Sequence, residues 1–302
     1  MLTRWGDLAV ADAHVHFFSH RFLSALGSAQ ARDAAAVASM LNWTAPSADP
    51  VELARAWVAE LDRHGVARAA LIASMPGDES SVASALTAFP GRFYGFAMFH
   101  PLEAGAVERA RAAFTSGVRV LCLFPAMHGY SVADPRVAPV LEAAAEARGR
   151  AVFVHSGVLT VGVRKNLGLA SLFDMRFSNP IDLHPVALRY PALPFIVPHF
   201  GAGYFREALM LADLCPNVFL DTSSSNSWMR YEGLDLATVL RRSLAIAGPR
   251  RLLFGTDSSF FPRGWNRPVF EAQTAALETL EVSADDAAAI LGGNLMRILG
   301  NS

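Results

Sequence analysis

Histidines and one aspartate in this sequence stand where short apolar runs stop. Asp12-Ala13-His14-Val15-His16 sets two imidazoles two residues apart. Side chains alternate across an extended chain, so His14 and His16 share a face and can converge on one ion. Taken alone, such a pair is more often two histidines hydrogen-bonded within a half-buried strand. Three further runs weigh against that reading: VFVHSG carries His155, PFIVPHFGAG carries His199 and LLFGTDSS carries Asp257. Glycine or small residues follow closely in each. Imidazole and carboxylate are the donors that Zn2+ and similar ions accept while a position stays open for water.

Such groups meet only if the runs that carry them lie parallel with the same ends together. The apolar and β-branched runs predict strands at 8–16, 68–74, 93–99, 118–124, 151–155, 194–199, 217–221 and 252–257. Between them, 104–115, 134–148, 203–214 and 234–247 are rich in Ala, Leu, Glu and Arg at helical spacing. Asp134-Pro135 starts one helix, and Gly248-Pro249-Arg250 ends another just ahead of a strand. Strands alternating with helices predict an α/β fold, a (β/α)8 TIM barrel, whose sites are built at the C-terminal ends of the strands. The chain length fits one such domain over 1–302, and no repeat, low-complexity tract or linker marks a boundary. The stretch 17–66, with Pro46, Pro50 and a helical tail from Val51 to His64, is expected to include a lid over the barrel mouth. LGGNLMRILG near the end reads as a short closing helix.

Composition narrows the partners. Hydrophobic residues make up 52% and charged ones 18%, which supplies a large core and argues against disorder. The net charge is -1 and no basic run is present, so nucleic acid and anionic membranes are not expected partners. A small-molecule substrate is expected, and a homo-oligomer stays open. Cys122 and Cys215 are too few and too far apart for a disulfide framework, which fits a reducing compartment. With no apolar signal region and no membrane-spanning run, the expected location is the cytoplasm.

The segments DAHVHFF, DRHGVARAALIAS, FAMFHPLEAGAVERA, SGVRVLCLFPA, AVFVHSG, YPALPFIVPHFGAG, PNVFLDTSS, LLFGTDSSF and ILGGNLMRIL follow one another in an order that resembles the amidohydrolase superfamily. The resemblance is to its amidohydrolase-2 group, which includes aminocarboxymuconate-semialdehyde decarboxylase and related metal-dependent hydrolases, and it covers nearly the whole chain. It implies that His14, His16, His155 and Asp257 hold one divalent metal, usually zinc with manganese as the alternative. It implies also that His199 orients or deprotonates a water on that metal. Two-metal members of the superfamily commonly bridge their ions with a carboxylated lysine on the fourth strand. The only lysine here is Lys165, after the fifth strand, and GVRVLCLF offers Arg119 and Cys122 instead, which favours one metal. A bridging Cys122 thiolate is the less common alternative to a buried apolar cysteine.

A metal-activated water, with His199 managing the proton and Asp257 orienting it, implies hydrolysis of an ester, lactone or amide bond in a small, carboxylated substrate. The same apparatus supports nonoxidative decarboxylation of an unsaturated or aromatic acid. A noncatalytic ligand-binding barrel and a metal-free lactone hydrolase are the remaining readings. Arg164 and Lys165 follow the fifth strand and are placed to pair with a substrate carboxylate, although charged loop residues are usually just solvated. Arg119 interrupts an apolar run and needs a buried carboxylate or a substrate anion. His100 and His128 follow the third and fourth strands, and Trp228, Trp265 and Phe261 offer an aromatic wall for a planar substrate. Phe200 after His199, and Ser258-Ser259 after Asp257, depart from the family's usual Gly and Tyr-Pro and are expected to reshape the pocket.

Overall fold

The computed structural model describes residues 1–28, 30–159, 162–171, 173–223 and 226–300. A two-stranded antiparallel hairpin, β1 (Leu2–Thr3) and β2 (Gly6–Asp7), precedes the main sheet. Eight parallel strands follow: β3 (Ala11–Phe17), β4 (Arg68–Ala73), β5 (Phe93–Phe99), β6 (Val118–Leu123), β7 (Ala151–Val154), β8 (Phe195–Val197), β9 (Val218–Asp221) and β10 (Leu252–Leu253). They pair in strict chain order from β3 to β10. The two edge strands then meet. The Ala13 amide donates to the Phe254 carbonyl at 2.8 Å, the Asp257 amide to that of His14 at 3.0 Å and the His16 amide to that of Ser258 at 2.7 Å. These bonds close the sheet into a (β/α)8 barrel, as the alternation of runs predicts.

The helices wrap the strands. Two lie in the stretch after β3, α1 (His20–Ser28) and α2 (Ala34–Leu41), ahead of the crossover helix α3 (Pro50–His64). α4 (Glu79–Ala88), α5 (Ala106–Thr115), the short α6 (Pro125–His128) and α7 (Ala138–Ala145) follow. Next come α8 (Gly162–Asn166), α9 (His184–Arg189), α10 (Phe205–Leu214) and α11 (Leu236–Ile246). α12 (Arg267–Thr279), α13 (Ala284–Ala288) and α14 (Asn294–Leu299) end the chain. Local chemistry sets the boundaries. Asp49 caps α3 by accepting from the Val51 amide at 2.9 Å with Pro50 at the first position, and Gly65 ends it in the left-handed conformation.

Strand alternation divides the core. Phe96, Val120, Cys122, Phe153, Ile196, Phe219 and Leu253 fill the barrel lumen, while Leu121, Val152, Val197 and Leu220 face the helices. On β3 the rule breaks once. Ala11 and Ala13 belong to the lumen but Val15 and Phe17 to the outer layer, and the register against β4 shifts between Asp12 and Val15. That bulge turns His14 and His16 inward while Asp12 faces Trp265 in the outer layer. Among the described residues, no helix is long and apolar enough to cross a membrane.

Candidate metal centre

His14, His16 and Asp257 come together at the C-terminal end of the barrel, each offering a ligand atom within 4.8 Å of the others. The Nε2 atoms of His14 and His16 lie 3.7 and 3.3 Å from Asp257 Oδ1. Their Nδ1 atoms are held from behind. That of His14 is 2.6 Å from Asp221 Oδ2, and that of His16 is 2.8 Å from Ser74 Oγ. A carboxylate or hydroxyl behind each imidazole fixes the ring and leaves Nε2 as the outward donor, which is how metal-ligating histidines are oriented. The donor chemistry therefore fits a divalent ion. Asp221 is a residue that the strand-end pattern could have marked, since a carboxylate closing the apolar run VFLD is a signal of the same kind as Asp257.

His155 and His199 line the same cavity beside this trio. The His199 ring centroid is 4.9 Å from that of His14 and 5.5 Å from that of His155, and Phe124 stacks on His155 at 5.3 Å. The donor atom of His155 is not among those within 4.8 Å, so the structure places it next to the trio rather than in it. Ser223 Oγ lies 2.9 Å from His199 Nδ1 and 3.1 Å from His14 Nδ1, linking the two rings through one hydroxyl. Asp257 and His199 both take positive φ, 58° and 52°, a left-handed conformation that L side chains seldom adopt.

The electrostatics follow from burial and these partners. Burial opposes charge on His14, but the Asp221 carboxylate outweighs it and raises the imidazole to about 9. Burial also opposes ionisation of Asp257, yet the hydrogen bond from His16 and the field of His14 hold it well below the usual carboxylate range. His155 is pushed well down by burial and by the neighbouring His199, which keeps it neutral. Asp12, fully buried, rises to about 6 through burial, even though it accepts from Thr256, Trp265 and the His14 amide.

Two glycines make the site's close packing possible. A Cβ on Gly255 would sit 2.8 Å from Asp221 Oδ1, 2.9 Å from His14 Cβ and 3.0 Å from Ser223 Cβ. One on Gly157 would sit 2.3 Å from the Gly201 and Ala202 carbonyls, where the loop after β7 crosses the turn that carries His199.

The remaining sequence candidates divide. Arg164, His128 and Trp228 line the cavity, which has a volume of about 1100 Å3. Lys165 is exposed and is not among the lining residues. Arg119 is the second residue of β6, half-buried at the barrel end opposite the cavity, where solvent removes the need for a buried partner. His100 lies behind His128, stacked on it at 4.5 Å and 4°. Trp265 is buried beneath the site with its indole N–H donating to Asp12 at 2.7 Å, and Phe261 packs on Trp57 at 5.0 Å. Cys122 is buried in the lumen, and burial raises its thiol well above the ordinary value, which disfavours the thiolate a bridging role needs. Of the two family departures, Phe200 is buried against Phe205 in the outer layer, and Ser258 is tied to Thr256 and Asn266. Only Ser259 lines the cavity.

Comparison with known proteins places the chain in a family. A solved structure of a probable 2-pyrone-4,6-dicarboxylic acid hydrolase from Acinetobacter baumannii superposes with a TM-score of 0.63 at 15% identity, covering 97% of this chain and 100% of that one. A second structure, called a putative hydrolase of the same compound, from Pseudomonas putida, gives 0.61 at 22% identity, covering 98% and 99%. An amidohydrolase from Burkholderia multivorans with zinc bound gives 0.58 at 16% identity, covering 97% and 99%. Among curated proteins, a segment of Protein fluG from Emericella nidulans is 38% identical over 85 residues, 28% of this chain and 10% of that much longer protein. The model of the amidohydrolase-2 family, described as amidohydrolase, matches residues 11–300, from the first barrel strand to the last helix. The chain belongs to the amidohydrolase family.

Proposed function

We propose that this protein is a hydrolase dependent on one divalent ion, zinc by preference, that cleaves an ester, lactone or amide bond in a carboxylated small molecule. The observation that carries the reading is the trio His14, His16 and Asp257, two of its members held from behind by Asp221 and Ser74. These three would hold the ion, with His155 adjoining from β7. Bound there, the ion would supply Lewis acidity toward a substrate carbonyl and a water molecule. The chain's own residues supply the rest. His199, held at Nδ1 by Ser223 and lining the cavity, would take a proton from water and return it to the leaving group. Neutral His155 adds no charge to repel a cation, and Asp257 stays ionised beside the histidines. The structural neighbours named as 2-pyrone-4,6-dicarboxylic acid hydrolases favour hydrolysis over decarboxylation, and the zinc in the Burkholderia multivorans protein favours that metal.

The test is metal content by mass spectrometry on protein purified without chelator, together with a panel of esters, lactones, amides and unsaturated acids followed for acid formation and carbon dioxide release. About one zinc per chain and acid formation without carbon dioxide are expected. Carbon dioxide as the product would establish the lyase instead. Absence of binding or activation by zinc and manganese would remove the metalloenzyme reading altogether.

A further inference from the structure

The walls above the histidines are more apolar than a compact dianion requires. Phe18, Trp43 and Phe260 line the cavity in a nearly parallel stack, with centroids 5.4 Å apart at 9° for the first pair and 4.4 Å at 10° for the second. Phe22 of α1 extends the stack on Phe18 at 4.4 Å. Three elements distant in sequence build it. Phe18 follows β3, Trp43 lies between α2 and α3, and Phe260 follows β10; the Thr44 amide donates to the Phe261 carbonyl at 2.8 Å and ties the last two stretches together. Rings locked against one another lose little freedom when a ligand arrives, so such a wall is preorganised.

One cation is fixed at the end of this stack. The Arg263 guanidinium carbon sits 4.6 Å over the Phe260 ring, and its Nη2 donates to the Asp257 carbonyl at 3.0 Å and to Ser259 Oγ at 2.8 Å. Its Nε and Nη1 have no protein partner among the described residues, and the side chain lines the cavity. The other lining arginine, Arg164, donates through Nε to the Ala170 carbonyl at 2.9 Å. A cavity of about 1100 Å3 stands at the upper end of small-molecule sites, and a compact dicarboxylate would leave most of its apolar wall facing water.

Resting on the site reading above, we propose that the substrate is amphipathic: a flat, aromatic body of bicyclic size laid across the ring edges of Phe18, Trp43 and Phe260, a single anionic group on Arg263, and the reacting carbonyl at the histidine floor. Trp43 and Arg263 are then specificity-determining residues, one for the body and one for the charge. The zinc-loaded protein is titrated calorimetrically with 2-naphthoate, the neutral 2-naphthylmethanol and succinate. 2-Naphthoate should bind at least roughly tenfold more tightly than succinate. Trp43→Ala should weaken both naphthyl compounds roughly tenfold, Trp43→Phe should restore most of that loss, and Arg263→Gln should weaken 2-naphthoate alone, with zinc content constant throughout. Succinate binding as tightly as 2-naphthoate, or a folded, zinc-loaded Trp43→Ala protein binding 2-naphthoate like the parent, would overturn the assignment. The two readings fail separately: tight 2-naphthoate binding without turnover of any ester, lactone or amide sinks only the reaction, whereas turnover of small dicarboxylate lactones without 2-naphthoate binding sinks only the substrate class.

Discussion

Replacing Asp221 by Asn changes one atom of a fully buried side chain and removes the charge behind His14. The carboxylate oxygen lies 2.6 Å from His14 Nδ1, with the two side chains 0% and 2% exposed, so no water is at hand to substitute for it. A charge-assisted hydrogen bond contributes about 1.5–3 kcal/mol and a neutral one about 0.5–1.5 kcal/mol. The difference, about 1–1.5 kcal/mol, corresponds to roughly a tenfold loss of metal affinity. Asp221→Ala removes the bond entirely and should reach the upper part of the roughly 10- to 100-fold range seen for such outer partners. Ser74→Ala, which takes only a neutral hydroxyl from His16 at 2.8 Å, should cost less, about threefold. Competition for zinc against a chromogenic chelator measures all three, with thermal melting as the control for folding. Parent-like zinc affinity in folded Asp221→Asn and Asp221→Ala would refute the claim that Asp221 orients a ligand.

Three further outcomes follow from the same geometry. Gly255→Ala places a methyl against Asp221, His14 and Ser223, and should cost about 1–3 kcal/mol of stability and lower zinc affinity, read from melting and chelator competition. His128 is held down to about 4, chiefly by burial and then by His100, so the unfolded chain binds more protons than the folded one between about pH 6.5 and 4. Stability should therefore fall as pH drops through that window, by about 1–2 kcal/mol after allowance for partial exposure; His128→Phe should flatten this limb of the melting profile, and an unchanged limb would assign it elsewhere. Arg119→Ala and Lys165→Ala, both outside the cavity, should leave zinc affinity unchanged and stability within about 0.5 kcal/mol, and a large loss of zinc from either would contradict the placement.

The barrel was legible because its two periodicities differ. Runs such as VRVLCL and AVFV are too short and too β-branched for helices, and the segments between them repeat apolar residues at helical spacing, so strand and helix separate without tertiary information. Less regular stretches carry a weaker local signal. α1 and α2 lie within 17–66, yet their role as cavity wall depends on packing against Val163 and Leu167 across the barrel mouth, which no local pattern encodes.

His14, His16, His155, His199 and Asp257 announced themselves in sequence because a polar group that ends an apolar strand has few structural uses. Their supports did not. Asp221 and Ser74 reach His14 and His16 from other strands, separated by 207 and 58 residues, and Ser223 joins His14 to His199 only because β9 lies beside β8 near the barrel seam. Arg119 and Lys165 show the converse, since charge alone does not say which end of a strand or side of a helix a residue occupies. The Phe18, Trp43 and Phe260 wall belongs to the same class. Sequence by itself determined which residues end strands and which elements alternate, because both are written in short-range chemistry and period. Tertiary structure alone decided what stands behind each imidazole and which rings stack above it, because those contacts join residues that meet only when the barrel closes.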